Sequence, residues 1–298
     1  MLFELRGPYW HAYTSGKDMP ILFVTKEDFS FVMNVIAQSA YAFWPLSRDE
    51  GFQEGGVEII TFQVMNNHLH LVLSGERERV LALFAFIKKR LSRTIEGARN
   101  LELEMKPIDN LNSLRNNIVY TNRNGYVAHP GYTPFSYPWG CSRYYFNDIP
   151  VYRRYLDLRL TPKREMFRGR APELPGDWAI IDGYVSPFSY CAVSFGMKLF
   201  RDAHHYFNSL GKNVESYAEL AQEFGDTDFL TDSELFAKVL ATVRQDYKVS
   251  SLRSLSKAQK SDLARVLHYD YHSSNGQIRR VLGLTQYEVD SLFPLSVK

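Results

Sequence analysis

Apolar and polar positions change period several times in the first 130 residues, and each change marks an element. Val57-Glu58-Ile59-Ile60-Thr61-Phe62-Gln63-Val64-Met65 is a β-branched and apolar run, and His68-Leu69-His70-Leu71-Val72-Leu73 is a second. The Asn66-Asn67 pair between them is a turn signal, so residues 57–74 read as a β-hairpin. Residues 7–14 read as an earlier strand, and a short one is expected near 102–108. Phe29, Val32, Met33, Val35 and Ile36 recur at helical spacing in a segment opened by Lys26-Glu27-Asp28 and running to about Phe43. Leu81, Phe84, Ile87 and Leu91 do the same between Glu76 and about Ile95.

A further helix is expected from Leu111. At 100° per residue Leu111, Leu114 and Ile118 share one apolar sector, while Ser113, Asn117, Tyr120 and Asn124 share a polar sector opposite. Tyr120 is thus expected off the core stripe, with the Asn124 amide one turn further along the same face. The order strand, helix, strand, strand, helix, strand is that of a split βαβ unit. The expected fold class is α+β, with a ferredoxin-like antiparallel sheet and packed helices.

His68 and His70 alternate with Leu69 and Leu71, so both imidazoles project to one side of their strand, about 6.6 Å apart at Cα. Two neutral imidazole nitrogens so placed suit one divalent metal. Two alternating histidines on a half-exposed strand are, taken alone, also ordinary surface residues.

A strand with His-apolar-His followed by a helix with Tyr-x-x-x-Asn resembles the HUH nucleases, and most closely the REP-associated tyrosine transposases, relatives of the single-tyrosine transposases of small insertion sequences. The residues that carry the resemblance are Asn66-Asn67-His68-Leu69-His70-Leu71, Tyr120-Thr121-Asn122-Arg123-Asn124-Gly125, Tyr137-Pro138-Trp139-Gly140-Cys141-Ser142-Arg143-Tyr144 and, near the start, Tyr9-Trp10-His11-Ala12-Tyr13-Thr14-Ser15-Gly16. They occur in order over residues 1–150. Asn66 stands where that family usually has proline, Gly125 replaces a second proline, and Gly140-Cys141 replaces a small polar pair. None of these departures touches a reacting group.

The resemblance implies a metal-dependent single-stranded DNA endonuclease and strand transferase that cleaves beside a DNA hairpin through a 5′-phosphotyrosine intermediate. It casts Tyr120 as the nucleophile and His68, His70 and Asn124 as ligands to Mg²⁺ or Mn²⁺. Imidazole and amide donors suit Mn²⁺ somewhat better than Mg²⁺. A phenol with the ordinary pKa of about 10 is mostly protonated at neutral pH, so a metal or nearby cations must favour the anion in the transition state. The partner expected is single-stranded DNA bearing a hairpin, engaged by a monomer or a homodimer. A replication-initiator or relaxase nuclease would lead one to expect further histidine ligands or paired tyrosines, which the sequence does not offer.

Charge does not announce nucleic-acid binding, since the net charge is only +2, and any basic surface must be local. Lys88, Lys89, Arg90 and Arg93 fall on one side of the second helix, where they would either track a phosphate backbone or match the helix dipole. Arg143, Arg153 and Arg154 are candidate DNA backbone contacts, and Arg123 would either neutralise the scissile phosphate or exit to solvent. Tyr132, Phe135, Tyr137, Trp139, Tyr144 and Tyr145, in the aromatic segment 129–146, either cover a core or stack on unpaired bases. The two cysteines, Cys141 and Cys191, make no disulfide or metal framework. No run of 18 apolar residues and no basic-then-apolar leader occurs, so a cytoplasmic protein with no membrane partner is expected.

Three parts are expected in the chain: a nuclease domain over 1–158, a Pro- and Arg-rich linker over 159–178, and an all-helical domain over 179–298. The last ends in a helix-turn-helix-like unit over about 257–294. Lys257 to Tyr271 is amphipathic, Ser274 opens a short helix, Gly283 marks a turn, and Thr285-Gln286-Tyr287-Glu288 has the capping-box pattern. Gln286 and Tyr287 are then candidate DNA contacts, although three-helix units also dock proteins. A different class of function follows if this unit is the working part: a DNA-binding regulator whose first domain does not cleave. The adjacent pair His204-His205 cannot share a helix face and is expected in solvent.

Overall fold

The computed structural model describes residues 7–16, 19–44, 56–128, 132–133, 135–212, 232–271, 273 and 275–293. Two compact units divide the chain, Met1–Leu210 and Gly211–Lys298. Among the described residues no helix is long and apolar enough to cross a membrane.

The first unit is α+β. Its elements run β1 (Tyr9–Thr14), α1 (Lys26–Phe43), β2 (Glu58–Val64), β3 (Leu69–Ser74), α2 (Arg77–Leu91), β4 (Leu103–Ile108) and α3 (Leu111–Ala128). The four strands form one sheet in the order β2-β3-β1-β4, with every neighbouring pair antiparallel. The turn at Asn66 and Asn67 is closed by Met65 N–H donating to the His68 carbonyl at 2.9 Å. The Thr25 hydroxyl and the Asp28 carboxylate form a capping box that starts α1.

Strand register divides the sheet into two chemically different faces. His11 lies opposite Val72 and Lys106, Tyr13 opposite His70 and Glu104, Gln63 opposite His70, and Thr61 opposite Val72. Opposite partners share a face, so this one is largely polar. The other face carries Ile59, Phe62 and Val64 against Leu73, Leu71 and Leu69, and an irregularity between Ile59 and Thr61 keeps both patterns in phase. Helix α1, with α2 beside it, covers the apolar face: Tyr190 stacks on Phe62, and its hydroxyl reaches the Met33 carbonyl of α1 at 3.5 Å. Helix α3 packs on β2 and β3 from the polar side.

That placement buries the sector expected off the core stripe. The polar sector of α3 does not face water, because the polar sheet face receives it. Residues Asn117 to Asn124 are all buried. Leu114 and Ile118 fill the apolar side, while Asn122 takes a hydrogen bond from Thr61 of β2 and donates one to the Tyr206 hydroxyl at 2.9 Å.

Residues 159–178 also differ from expectation, since they pack into the first unit. They contain α4 (Leu160–Met166), followed by Phe167, which is fully buried. Arg168 bonds Asp28 of α1 at 2.8 Å. Burial raises the Asp28 carboxyl, but the Thr25 amide and the Arg168 guanidinium outweigh it and hold its pKa below the usual value. The region from 179 is not all helical either. β5 (Ile180–Ile181) and β6 (Tyr184–Val185) form a hairpin whose turn residues, Asp182 and Gly183, have φ of 52° and 86°. Asp-Gly between apolar residues is a strong signal for such a turn. Buried Asn34 of α1 ties this region down. Its amide nitrogen donates to the carbonyls of Met166 and Gly183, and its oxygen accepts from Val185 N–H. Two helices, α5 (Val193–Lys198) and α6 (Ala203–Lys212), follow. His204 on α6 is exposed, and the His205 ring nitrogen accepts from Arg201 N–H.

The second unit is helical over its described residues. It comprises the helices Asp232–Asp246, Lys257–Tyr269, Asn275–Leu282 and Gln286–Leu292. Ser274 lies outside the described residues. Gly283 takes φ of 61°, and Thr285 and Glu288 form the capping box that the sequence predicts. Leu263, Leu267, Ile278, Val281, Leu282, Val289 and Phe293 are buried.

Candidate functional site

Five side chains, from β1, β3, α3 and the residue just before β3, where His68 lies, meet where the polar sheet face meets α3. Tyr120 lies 5.8 Å from His70 and 6.1 Å from His11, measured between ring centroids. His70 lies 5.0 Å from His68 at 80°, and Tyr13 stacks beside His70 at 6.1 Å. The Tyr13 hydroxyl in turn donates to Glu104 on β4 at 2.6 Å.

Backbone and side-chain partners fix how each histidine presents its ring. Asn67 donates its amide nitrogen to the carbonyls of Gly16 and Met19, at 3.0 and 3.1 Å. Its oxygen therefore faces His68 Nδ1, 2.6 Å away. An amide oxygen only accepts, so His68 Nδ1 carries the proton and Nε2 the lone pair. Gly16 leaves room for this contact, because a Cβ there would stand 2.7 Å from His68 Nδ1. His70 turns its own Nδ1 to His11 Nε2 at 3.0 Å, and His11 Nδ1 meets Asn117 Oδ1 at 2.6 Å.

The pair can be tested for fit to a metal. A ring whose nitrogen binds a divalent ion at about 2.1 Å has its centroid about 3.2 Å from the ion, so two such rings at 90° to 109° are about 4.5 to 5.2 Å apart. The separation of 5.0 Å falls inside that range. Among the described residues no group of three His, Cys, Asp or Glu side chains is placed to hold a metal ion. His11 explains why three neighbouring histidines do not make one: its nitrogens face Asn117 and His70. Asn124, one helical turn after Tyr120, is also buried.

Arg123 shares the helix turn of Tyr120, is 1 % exposed, and holds its guanidinium carbon 6.0 Å from the Tyr120 ring centroid. Arg143 lies away from the histidines, donating to the Tyr184 hydroxyl at 3.2 Å and facing Asp182 at 3.7 Å. Lys88 and Lys89 sit on α2, across the sheet from α3, with Lys89 exposed. In the second unit Tyr287 is 82 % exposed, whereas Gln286 donates to both carboxylate oxygens of Asp290 at 2.9 Å. Of the aromatic segment, Tyr137, Trp139, Tyr144 and Tyr145 are buried, and Tyr132 and Phe135 are exposed. Burial pushes the Tyr137 phenol far above its usual pKa, with Tyr132 adding to the effect, and its hydroxyl bonds the Val64 carbonyl.

Sequence reasoning missed His11, Tyr13 and Asn67 as members of the site, and placed Asn117 only on a helix face. The alternation Tyr9, His11, Tyr13 was the available signal, since it marks β1 as polar on one side.

No family model, curated protein or solved structure matches the chain.

Proposed function

We propose that the chain is a metal-dependent single-stranded DNA endonuclease and strand transferase that acts through Tyr120. The observation that carries the reading is the juxtaposition of Tyr120 with His70, itself beside a His68 ring whose tautomer is fixed by Asn67. The strand order β2-β3-β1-β4 within a βαββαβ unit supports a ferredoxin-like sheet, the fold that the resemblance to HUH transposases implies. His68, His70 and Asn124 would hold the ion.

A divalent ion held there would supply Lewis-acid polarisation of a scissile phosphate. Tyr120 Oη forms a bond to phosphorus as the bond to the 3′ oxygen breaks. The phenolic proton passes to solvent, and the departing 3′ oxygen takes a proton to become a free hydroxyl. The 5′ phosphate stays on Tyr120 until a 3′ hydroxyl attacks it and reverses the sequence. Arg123 adds a cation beside the phenol. The three-helix arrangement over 257–293 supports a helix-turn-helix, with Tyr287 as its most exposed aromatic.

One observation favours the second reading, a DNA-binding protein that does not cleave. His68, His70 and Tyr120 are each 1 % exposed, so a phosphate reaches them only if covering groups move. Product analysis separates the two. Hairpin-bearing single strands incubated with Mn²⁺ or Mg²⁺ should yield one fragment with a free 3′ hydroxyl and a partner blocked at its 5′ end by protein. Bound DNA recovered intact, across several flanking hairpins and both ions, favours the second reading.

A further inference from the structure

We infer that His11 and Asn117 are positioning residues that hold His70 in the tautomer able to bind a metal. This inference rests on the reading of His68 and His70 as a metal pair.

The direction of the hydrogen-bond chain is set at its far end. The Ser113 carbonyl is an acceptor only, and it takes the Asn117 amide nitrogen at 2.9 Å. Turning that amide over would set its oxygen against the carbonyl oxygen, so Asn117 Oδ1 must face His11. His11 Nδ1 then carries a proton and donates to it at 2.6 Å, which leaves the lone pair of a neutral His11 on Nε2. That lone pair accepts from His70 Nδ1 at 3.0 Å. His70 therefore has its proton on Nδ1 and its lone pair on Nε2.

His68 reaches the same tautomer by a separate route through Asn67 and the loop carbonyls of Gly16 and Met19. Two independent anchors thus give both imidazoles one chemical form. Metal-binding histidines typically donate their second ring N–H to a fixed acceptor, which orients the ring and raises its basicity. The His70 anchor has a specific weakness. Without the Asn117 oxygen, His11 can place its proton on Nε2 and donate to His70 Nδ1. The His70 proton would then sit on Nε2, where it excludes a metal.

The burial of these groups gives the chain its rigidity. His11 is 1 % and Asn117 4 % exposed, and in such surroundings an unmatched donor or acceptor is costly. Helix α3 therefore contributes two things on one polar stripe: the phenol at Tyr120 and, one turn earlier, the acceptor that sets His70. Residues 106 positions apart are coupled by it.

The test is Mn²⁺ affinity of the full chain, read by electron paramagnetic resonance, in the native protein and in Asn117→Leu, Asn117→Asp and His70→Ala. A carboxylate at 117 still accepts from His11 but sets its second oxygen against the Ser113 carbonyl, so Asn117→Asp should bind more weakly than the native protein and more tightly than Asn117→Leu. Asn117→Leu should bind about 10- to 100-fold more weakly. Native affinity in Asn117→Leu overturns the positioning role while leaving the metal pair intact. No Mn²⁺ binding by the native protein, or binding unaffected by His70→Ala, overturns the metal reading itself. Should Asn117→Leu not fold, the ¹⁵N shifts of His70 in the native metal-free protein decide: a protonated Nδ1 and bare Nε2 are expected, and the reverse contradicts the inference.

Discussion

Tyr120 and His70 face each other across 5.8 Å with their rings nearly perpendicular, although fifty residues separate them in the chain. The contact exists because a polar helix sector meets a polar sheet face. Neither surface would be stable buried alone, since each carries groups that must be hydrogen-bonded out of water. Their meeting places a phenol beside an imidazole pair in buried surroundings, where electrostatic interactions are stronger than in water.

Gly16→Ala should damage the site more than the fold. The new methyl would stand 2.7 Å from His68 Nδ1 and 3.1 Å from Asn67 Oδ1, so the ring must shift and its bond to Asn67 must lengthen. A drop in Mn²⁺ affinity on the order of tenfold is expected. Calorimetric titration beside a thermal melt checks this. Unchanged affinity would mean that the Asn67 contact does not position His68.

Gly140→Ala should act oppositely, on stability. Its Cβ would lie 2.5 Å from the Phe62 carbonyl oxygen and collide with the Gln63 side chain. The Phe62 carbonyl is held there by Cys141 N–H at 3.0 Å, so a loss of about 1 to 3 kcal/mol in urea unfolding is expected. A variant as stable as the native protein would contradict the packing described. Gln63 also fills the space where a Cβ at Gly125 would go, together with the Tyr137 ring. Neither Gly125 nor Gly140 therefore has room for a side chain.

In the second unit, acid should loosen the helix Gln286–Leu292. Glu288 accepts from Lys257 Nζ at 2.8 Å and from the Thr285 backbone and hydroxyl at 2.9 Å. The lysine bond is the larger cause, and together these hold the Glu288 carboxyl at about 2 against an ordinary 4.5. A lowered carboxylate pKa contributes stability that is complete above the unfolded value and is lost as pH falls through the folded one. The contribution should therefore fade between about pH 4.5 and 2. A carbon-13 titration of Glu288 should show a midpoint near 2 that rises in Lys257→Met; a native midpoint near 4.5 would refute the pairing.

How far the sequence was legible depended on the distance over which each signal acts. Helix α1 begins at Lys26 and ends at Phe43 as its periodicity and acidic first turn predict, and the capping box at Thr285 was readable from four residues. The hairpin at Asp182-Gly183 was equally local, but the prolines and arginines before it have the composition of a linker. The burial of Tyr120 was not local. The angular position of its sector was correct, and only the alternation of His11, Gln63, Thr61 and Lys106 across three strands shows that the sheet has a polar face to receive it. The link from His11 to Asn117 depends on how β1 and α3 are packed, which no periodicity encodes.

The central claim is that Tyr120 becomes covalently joined to DNA, and a denaturing gel of protein with labelled hairpin single strands and Mn²⁺ tests it most directly. The native protein should form a metal-dependent adduct that Tyr120→Phe does not, while the variant keeps its fold and its DNA binding. An adduct that survives in Tyr120→Phe, or none with the native protein across its flanking hairpins, would contradict the account.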